Sequence, residues 1–191
     1  GRAYIFNGSA SGPSLTVANA SATITGVVIG DGLGDTVSIV GDTNNDGYDD
    51  LAVTVQKYDY GTQTEAGAVL LFRGGKTSLS GALTPTSAYS TLRGTRKNDY
   101  SGYALSGAGD QNSDGNADWL YTVYQYDGVG AVADVGRLVV MSGTQASGTN
   151  DTASAGNYLA LINGVTASGK LGTAACGGND ADGDGIADVL V

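Results

Sequence analysis

Asp42, Asn44, Asp46 and Asp50 stand at positions 1, 3, 5 and 9 of a short polar stretch, with Gly47 at position 6. Asp110, Asn112, Asp114 and Asp118 repeat this spacing around Gly115, and Asp180, Asp182, Asp184 and Asp188 repeat it around Gly185. Side-chain oxygens at alternate positions suit a hard cation with six to eight oxygen ligands. Ca²⁺ fits better than Mg²⁺, which keeps its waters and takes few protein ligands. A backbone carbonyl at position 7 would complete each set, from Tyr48, Asn116 and Ile186, and the glycine permits a tight reversal around the ion. Three Ca²⁺ sites are therefore expected. The metal-free alternative, an acidic Asx turn, would leave each loop's like charges crowded with no cation among them.

The rest of the inventory narrows the chemistry. There is no His, which removes a Ser-His-Asp triad and any imidazole ligand or proton shuttle. The single cysteine, Cys176, allows neither an intrachain disulfide nor a multi-cysteine metal site. A formal charge of −10 leaves no basic footprint for nucleic acid, so no nucleic-acid partner is expected. No apolar run approaches the length of a membrane span. The chain starts at Gly1 with no signal peptide, as a processed or excised form would.

These loops need elements to hold them, and the sequence repeats those too. The first aspartates recur 68 and then 70 residues apart, and Gly34, Gly102 and Gly172 each sit eight positions before one. Downstream, the apolar run at 66–74 matches that at 135–143, and 1–8 is a further copy. Each unit reads as four short strands, in the first full copy near 35–40, 51–56, 68–73 and 91–94. The runs are too short for helices and are bracketed by glycine. Four antiparallel strands per unit predict an all-β chain of β-propeller blades, with a sandwich or solenoid as the alternative. The expected division is 1–26 (strands three and four), 27–94 and 95–164 (full blades) and 165–191 (strands one and two). About three blades' worth, with both termini in mid-blade, would make the chain either part of a longer ring or a subunit whose edges pair with another copy.

The unit is similar to the FG-GAP repeat of integrin α-subunit propellers and bacterial secreted proteins. The resemblance covers nearly the whole chain, and its strongest motif is the acidic loop preceded by Gly-Asp and followed by an apolar strand. Leu33-Gly34 and Leu171-Gly172 stand at the Phe-Gly position; Ser101-Gly102 departs from it, and the Gly-Ala-Pro element after strand two is absent. The position-12 residues Val53, Tyr121 and Val191 exclude an EF-hand, which needs a bidentate Glu there. The resemblance implies a seven-bladed ring with calcium in blade hairpins, usually outside the cell.

The expected function is an extracellular, calcium-stabilised, non-enzymatic module for adhesion or recognition. Two alternatives are a self-assembling ring or filament subunit and part of a polysaccharide-active enzyme. The partner would be a protein or carbohydrate at the propeller loops, or another copy of the chain. Tyr58, Tyr60, Tyr124 and Tyr126 fall in equivalent loops, as a contact surface or as packing between blades. Trp119 and Cys176 are expected in the core, and the basic cluster 93–97 in a solvated loop. Asn7, Asn19 and Asn150 begin glycosylation acceptor patterns.

Overall fold

A computed structural model describes residues 1–10, 12, 16–130, 132–145, 147–151 and 158–191. The described chain is all-β and built as propeller blades. The first complete blade contains β3 (Leu33–Gly41), β4 (Asp50–Val55), β5 (Ala68–Phe72) and β7 (Ser90–Arg93). The second contains β8 (Ser101–Gly109), β9 (Asp118–Val123), β10 (Arg137–Met141) and β12 (Tyr158–Asn163). Neighbouring strands within each blade run antiparallel. On one side lie β1 (Arg2–Ile5) and β2 (Ala22–Thr25), and on the other β13 (Cys176–Asn179) and β14 (Asp188–Leu190).

Two short strands were not foreseen. β6 (Gly81–Leu83) runs parallel to β2, and β11 (Gly148–Asp151) runs parallel to β7. Each comes from the link between the third and fourth strands of one blade and covers the outer edge of the preceding sheet. That edge would otherwise present unpaired backbone groups. Both are short and start with glycine, and neither carries an alternating apolar signal.

The middle strands are buried on both faces, which explains their continuous apolar runs. Ala52, Val69 and Leu71 pack against Trp119, Tyr121, Val123 and Met141 of the second blade. Val53, Val55, Leu70 and Phe72, pointing the other way, pack against Ala3 and Ile24 of the first sheet. Leu120, Leu138 and Val140 form a third layer with Ala175 and Val189. Blades thus stack face to face, with the first strands β3, β8 and β13 side by side. Backbone bonds stitch the stack: the Ser101 N–H donates to the Ala66 carbonyl (2.9 Å), and the Leu171 N–H to that of Val135 (2.9 Å).

Trp119 is fully buried, as expected. Cys176 is a correction: it is exposed rather than part of the core, at a first-strand position that is only half-buried, as Ser38 and Ser106, in the complete blades. In the cluster 93–97, Arg96 and Lys97 are exposed as expected, and Arg93 is a second correction. Arg93 is tied to Asp151 (2.5 Å) and lies 3.5 Å over the Tyr60 ring, so it is not a free solvated cation. Thr152, which completes the acceptor pattern at Asn150, lies outside the described residues. Among the described residues no helix is long and apolar enough to cross a membrane.

Candidate metal centre

The three acidic loops link the first and second strands of successive blades, so the stacking brings them to one end of the molecule. The Ala117 N–H of the second loop donates to the Asp42 carbonyl of the first (2.8 Å). The Gln111 side chain of the second donates to the Ala187 carbonyl of the third. This closeness explains the glycine before the first two leading aspartates, where the third has Asn179. A Cβ at Gly41 would lie 2.6 Å from that of Ala117, and one at Gly109 2.7 Å from that of Ala187.

Each loop adopts one backbone form. Position 6 is a glycine in the left-handed region, with φ of 87° at Gly47, 87° at Gly115 and 91° at Gly185. Position 4 is left-handed as well, with φ of 55° at Asn45, 59° at Ser113 and 83° at Gly183. The sequence pattern did not single out position 4, although Asn and Gly there are the residues that tolerate this conformation best. Two reversals in close succession curl N–H groups onto the first carboxylate. Asp42 accepts from Asp46 (3.0 Å) and Gly47 (2.7 Å), Asp110 from Asp114 (3.1 Å) and Gly115 (2.9 Å), and Asp180 from Gly183 (2.6 Å) and Gly185 (2.8 Å).

In the first and third loops these donors keep the leading carboxylate ionised. At Asp42 desolvation pushes the carboxyl up, but the N–H groups of Gly47, Asp46 and Asn44 together bring it below its ordinary value. The N–H groups of Gly185 and Gly183 do the same for Asp180. At position 5 the side-chain amide and backbone N–H of Asn116, with the Asn112 amide, lower Asp114. Position 7 supplies an N–H in every loop: Tyr48 to Asp46 (3.0 Å), Asn116 to Asp114 (2.9 Å) and Ile186 to Asp184 (2.8 Å). The expected position-7 donors to a cation are their carbonyls.

The ninth residues differ from blade to blade. Asp50 is fully buried; its carboxylate accepts from Thr43, from the Gly74 N–H (2.6 Å) and from Arg73 (2.8 Å). Asp118, also buried, accepts from the Gln111 N–H (2.8 Å) and the Gly143 N–H (2.9 Å) with no arginine. Burial pushes Asp118 up, Gly143 and Gln111 pull it back in part, and Asp114 and Asp110 push it further. Asp188 accepts from the Ala181 N–H (2.6 Å). Arg73 as a partner of Asp50 was not foreseen; it sits at the end of an apolar strand, where a cation has reason to stay only if paired.

Among the described residues, the third loop alone gathers three carboxylates, Asp180, Asp182 and Asp188, with an oxygen of each within 4.8 Å of the others. In the first two loops position 3 is Asn, and its amide donates to the position-5 carboxylate, Asn44 to Asp46 (2.8 Å) and Asn112 to Asp114 (3.0 Å). The donor set is oxygen-only and carboxylate-rich on a pre-curled backbone, which fits a hard cation of the calcium type.

Residues 30–72, spanning the first acidic loop and its flanking strands, match the family model of the FG-GAP repeat. The stacked antiparallel sheets define the class, an all-β chain of propeller blades, and the matched segment is similar to the FG-GAP repeat. No curated protein matches the chain.

Proposed function

We propose that this chain is a calcium-stabilised β-propeller module that serves recognition or adhesion outside the cell and performs no catalysis. The carrying observation is one loop conformation built three times, left-handed at positions 4 and 6, with its leading carboxylate accepting backbone N–H groups. Asp42, Asn44, Asp46 and Asp50 would hold the first ion with the Tyr48 carbonyl. Asp110, Asn112, Asp114 and Asp118 would hold the second with that of Asn116, and Asp180, Asp182, Asp184 and Asp188 the third with that of Ile186. The ion neutralises carboxylates that otherwise repel, and because adjacent loops are hydrogen-bonded it also fastens blade to blade. FG-GAP repeats are recognition or structural units of extracellular proteins, which supports a protein or carbohydrate partner. Calorimetric titration of chelator-treated protein tests the reading. Three Ca²⁺ per chain and a raised melting temperature are expected; an absence of both heat and thermal shift overturns it.

A further inference from the structure

Each complete blade holds a cavity at the end of its first hairpin opposite the acidic loop. In the first blade the walls include Val28, Asp31, Val55, Tyr58 and Leu70. In the second they include Arg96, Asp99, Val123, Tyr126 and Val139, the same positions one repeat later, with Arg137 where the first blade has Ala68. The aspartate and tyrosine are kept. Two apolar positions have become arginine.

Asp99 is 6% exposed, and no hydrogen bond or ion pair joins its carboxyl to the described residues. Such a group carries a large desolvation cost unless something pairs with it. Both arginines face the same space, yet neither closes on it. Each is held elsewhere: Arg137 lies 3.5 Å over the Tyr126 ring and donates Nε–H to Asn163 (2.7 Å). Arg96 lies 4.9 Å from that ring and donates to the Asp127 carbonyl (3.0 Å). A guanidinium has five N–H donors, so both retain donors beyond these bonds. The space between is about 110 Å³, a few times the roughly 30 Å³ of one liquid water.

We propose that the second-blade cavity binds the hydroxylated edge of one neutral sugar residue, between the Asp99 carboxyl and the guanidiniums of Arg96 and Arg137. A hydroxyl accepts from a guanidinium through oxygen and donates its own proton to the carboxylate, so adjacent hydroxyls satisfy both sides at once. A cation would face two arginines, and an anion would face Asp99 wherever that group is ionised, whereas a neutral hydroxylated edge meets neither conflict. Val123 and Val139 give the floor an apolar surface for ring carbons. The first-blade cavity, with Val28 and Ala68 in place of the arginines, lacks the donors and does not bind. The proposal rests on the recognition reading of the chain but not on calcium, since the cavity and the acidic loops lie at opposite ends of the hairpin.

The test is saturation-transfer NMR on the full chain in calcium buffer with millimolar glucose, galactose and mannose, and separately with glucuronate and galacturonate. At least one neutral hexose is expected to take up saturation, with affinity falling about tenfold or more in Asp99→Leu and in Arg137→Met. Asp31→Leu is expected to bind as the parent does. Asp99→Asn keeps the shape and one acceptor, so it tests the site should the leucine variant fail to fold; weakened binding is expected. No signal from any neutral hexose overturns the proposal, as do binding of the uronates alone and binding unchanged in the folded Asp99 and Arg137 variants. Loss of calcium binding with sugar binding intact would instead count against the metal reading alone.

Discussion

The two complete blades share a backbone and differ in which buried aspartate stands near an arginine. In the first, Arg73 sits beside the acidic loop, bonded to the buried Asp50 and 4.2 Å over the Tyr89 ring, while the far end is walled by Val28 and Leu70, with Ala68 at the position of Arg137. In the second, Ser142 replaces Arg73 and bonds to Thr144 (2.8 Å), while Arg96 and Arg137 wall the far end around Asp99. The conserved geometry is therefore that of strands and turns, and the charge at either end is free to vary. A blade with a resident arginine at its loop depends less on a metal ion for charge balance there. A blade without one has Asp118 crowded by Asp114 and Asp110 and no protein cation to answer them.

The largest expected effect is calcium removal. At a hundredfold excess over Kd each site contributes about 2.7 kcal/mol, or about 8 kcal/mol for three independent sites. Chelation should lower the melting temperature strongly, and hydrogen exchange should rise more around Asp118 than around Asp50. Equal exchange in the two loops would dissolve the contrast between the blades.

The contrast sharpens when the ninth residues are changed in the presence of chelator. Asp50→Asn leaves Arg73 without its carboxylate in a largely buried place, at a cost of about 3 kcal/mol. Asp118→Asn keeps a hydrogen-bond acceptor and removes a repelled charge, so its cost is about 1 kcal/mol or less. In calcium both variants should lose the ion at their own loop. Urea unfolding with and without chelator reads all four values.

At the other end, the two cavity aspartates give a pH test. Burial pushes Asp99 up to about 7; Arg96 pulls it down in part, Asp127 pushes it up and Arg137 pulls it down. The folded state thus holds a proton that the unfolded chain has released above its ordinary value near 4. Stability from this group is full below that value, falls as pH rises, and is lost above 7. Asp99→Asn should therefore be more stable than the parent at pH 8, by up to about 4 kcal/mol, and similar to it at pH 4. Burial, with Asp59 adding to it, also raises Asp31, against the pull of the N-terminus. The same change at Asp31, which is half-buried, should give a smaller gain of the same sign. Equal gains at both positions would show that the pull of the two arginines offsets the deeper burial of Asp99.

Much of this was readable in the sequence because it repeats. The acidic spacing, the glycines and the double-faced apolar strands are local patterns, and three copies separate pattern from accident. What escaped was non-local or unpatterned. Parallel docking of β6 and β11 depends on a neighbouring sheet edge, and nothing in Gly-Ala-Leu or Gly-Thr-Asn-Asp announces it. The Arg73–Asp50 pair joins residues 23 apart across strands. The Asp99 cavity draws on three segments, of which only Arg96 and Tyr126 stood out as residues. The recurrence of Asp31 as Asp99, one repeat apart, was the available signal. Cys176 misled because a lone cysteine reads as a buried apolar residue, whereas its strand position is held by the half-buried Ser38 and Ser106 in the complete blades.

The smallest expected effect lies where the blades differ by one side chain. Leu33 is buried in the first interblade core, and Ser101 takes its place in the second blade, fully buried with a hydroxyl that finds no partner among the described residues. Gly94 lies against it, so a Cβ there would come within 2.8 Å of the Ser101 hydroxyl oxygen. A larger side chain has little room, but the hydroxyl itself contributes a desolvation cost with no bond in return. Ser101→Ala should therefore stabilise the chain by about 0.5–1 kcal/mol in urea unfolding. A destabilisation of that size would mean that the hydroxyl is paired after all, by a buried water on the second blade that the first, with leucine, has no means to hold.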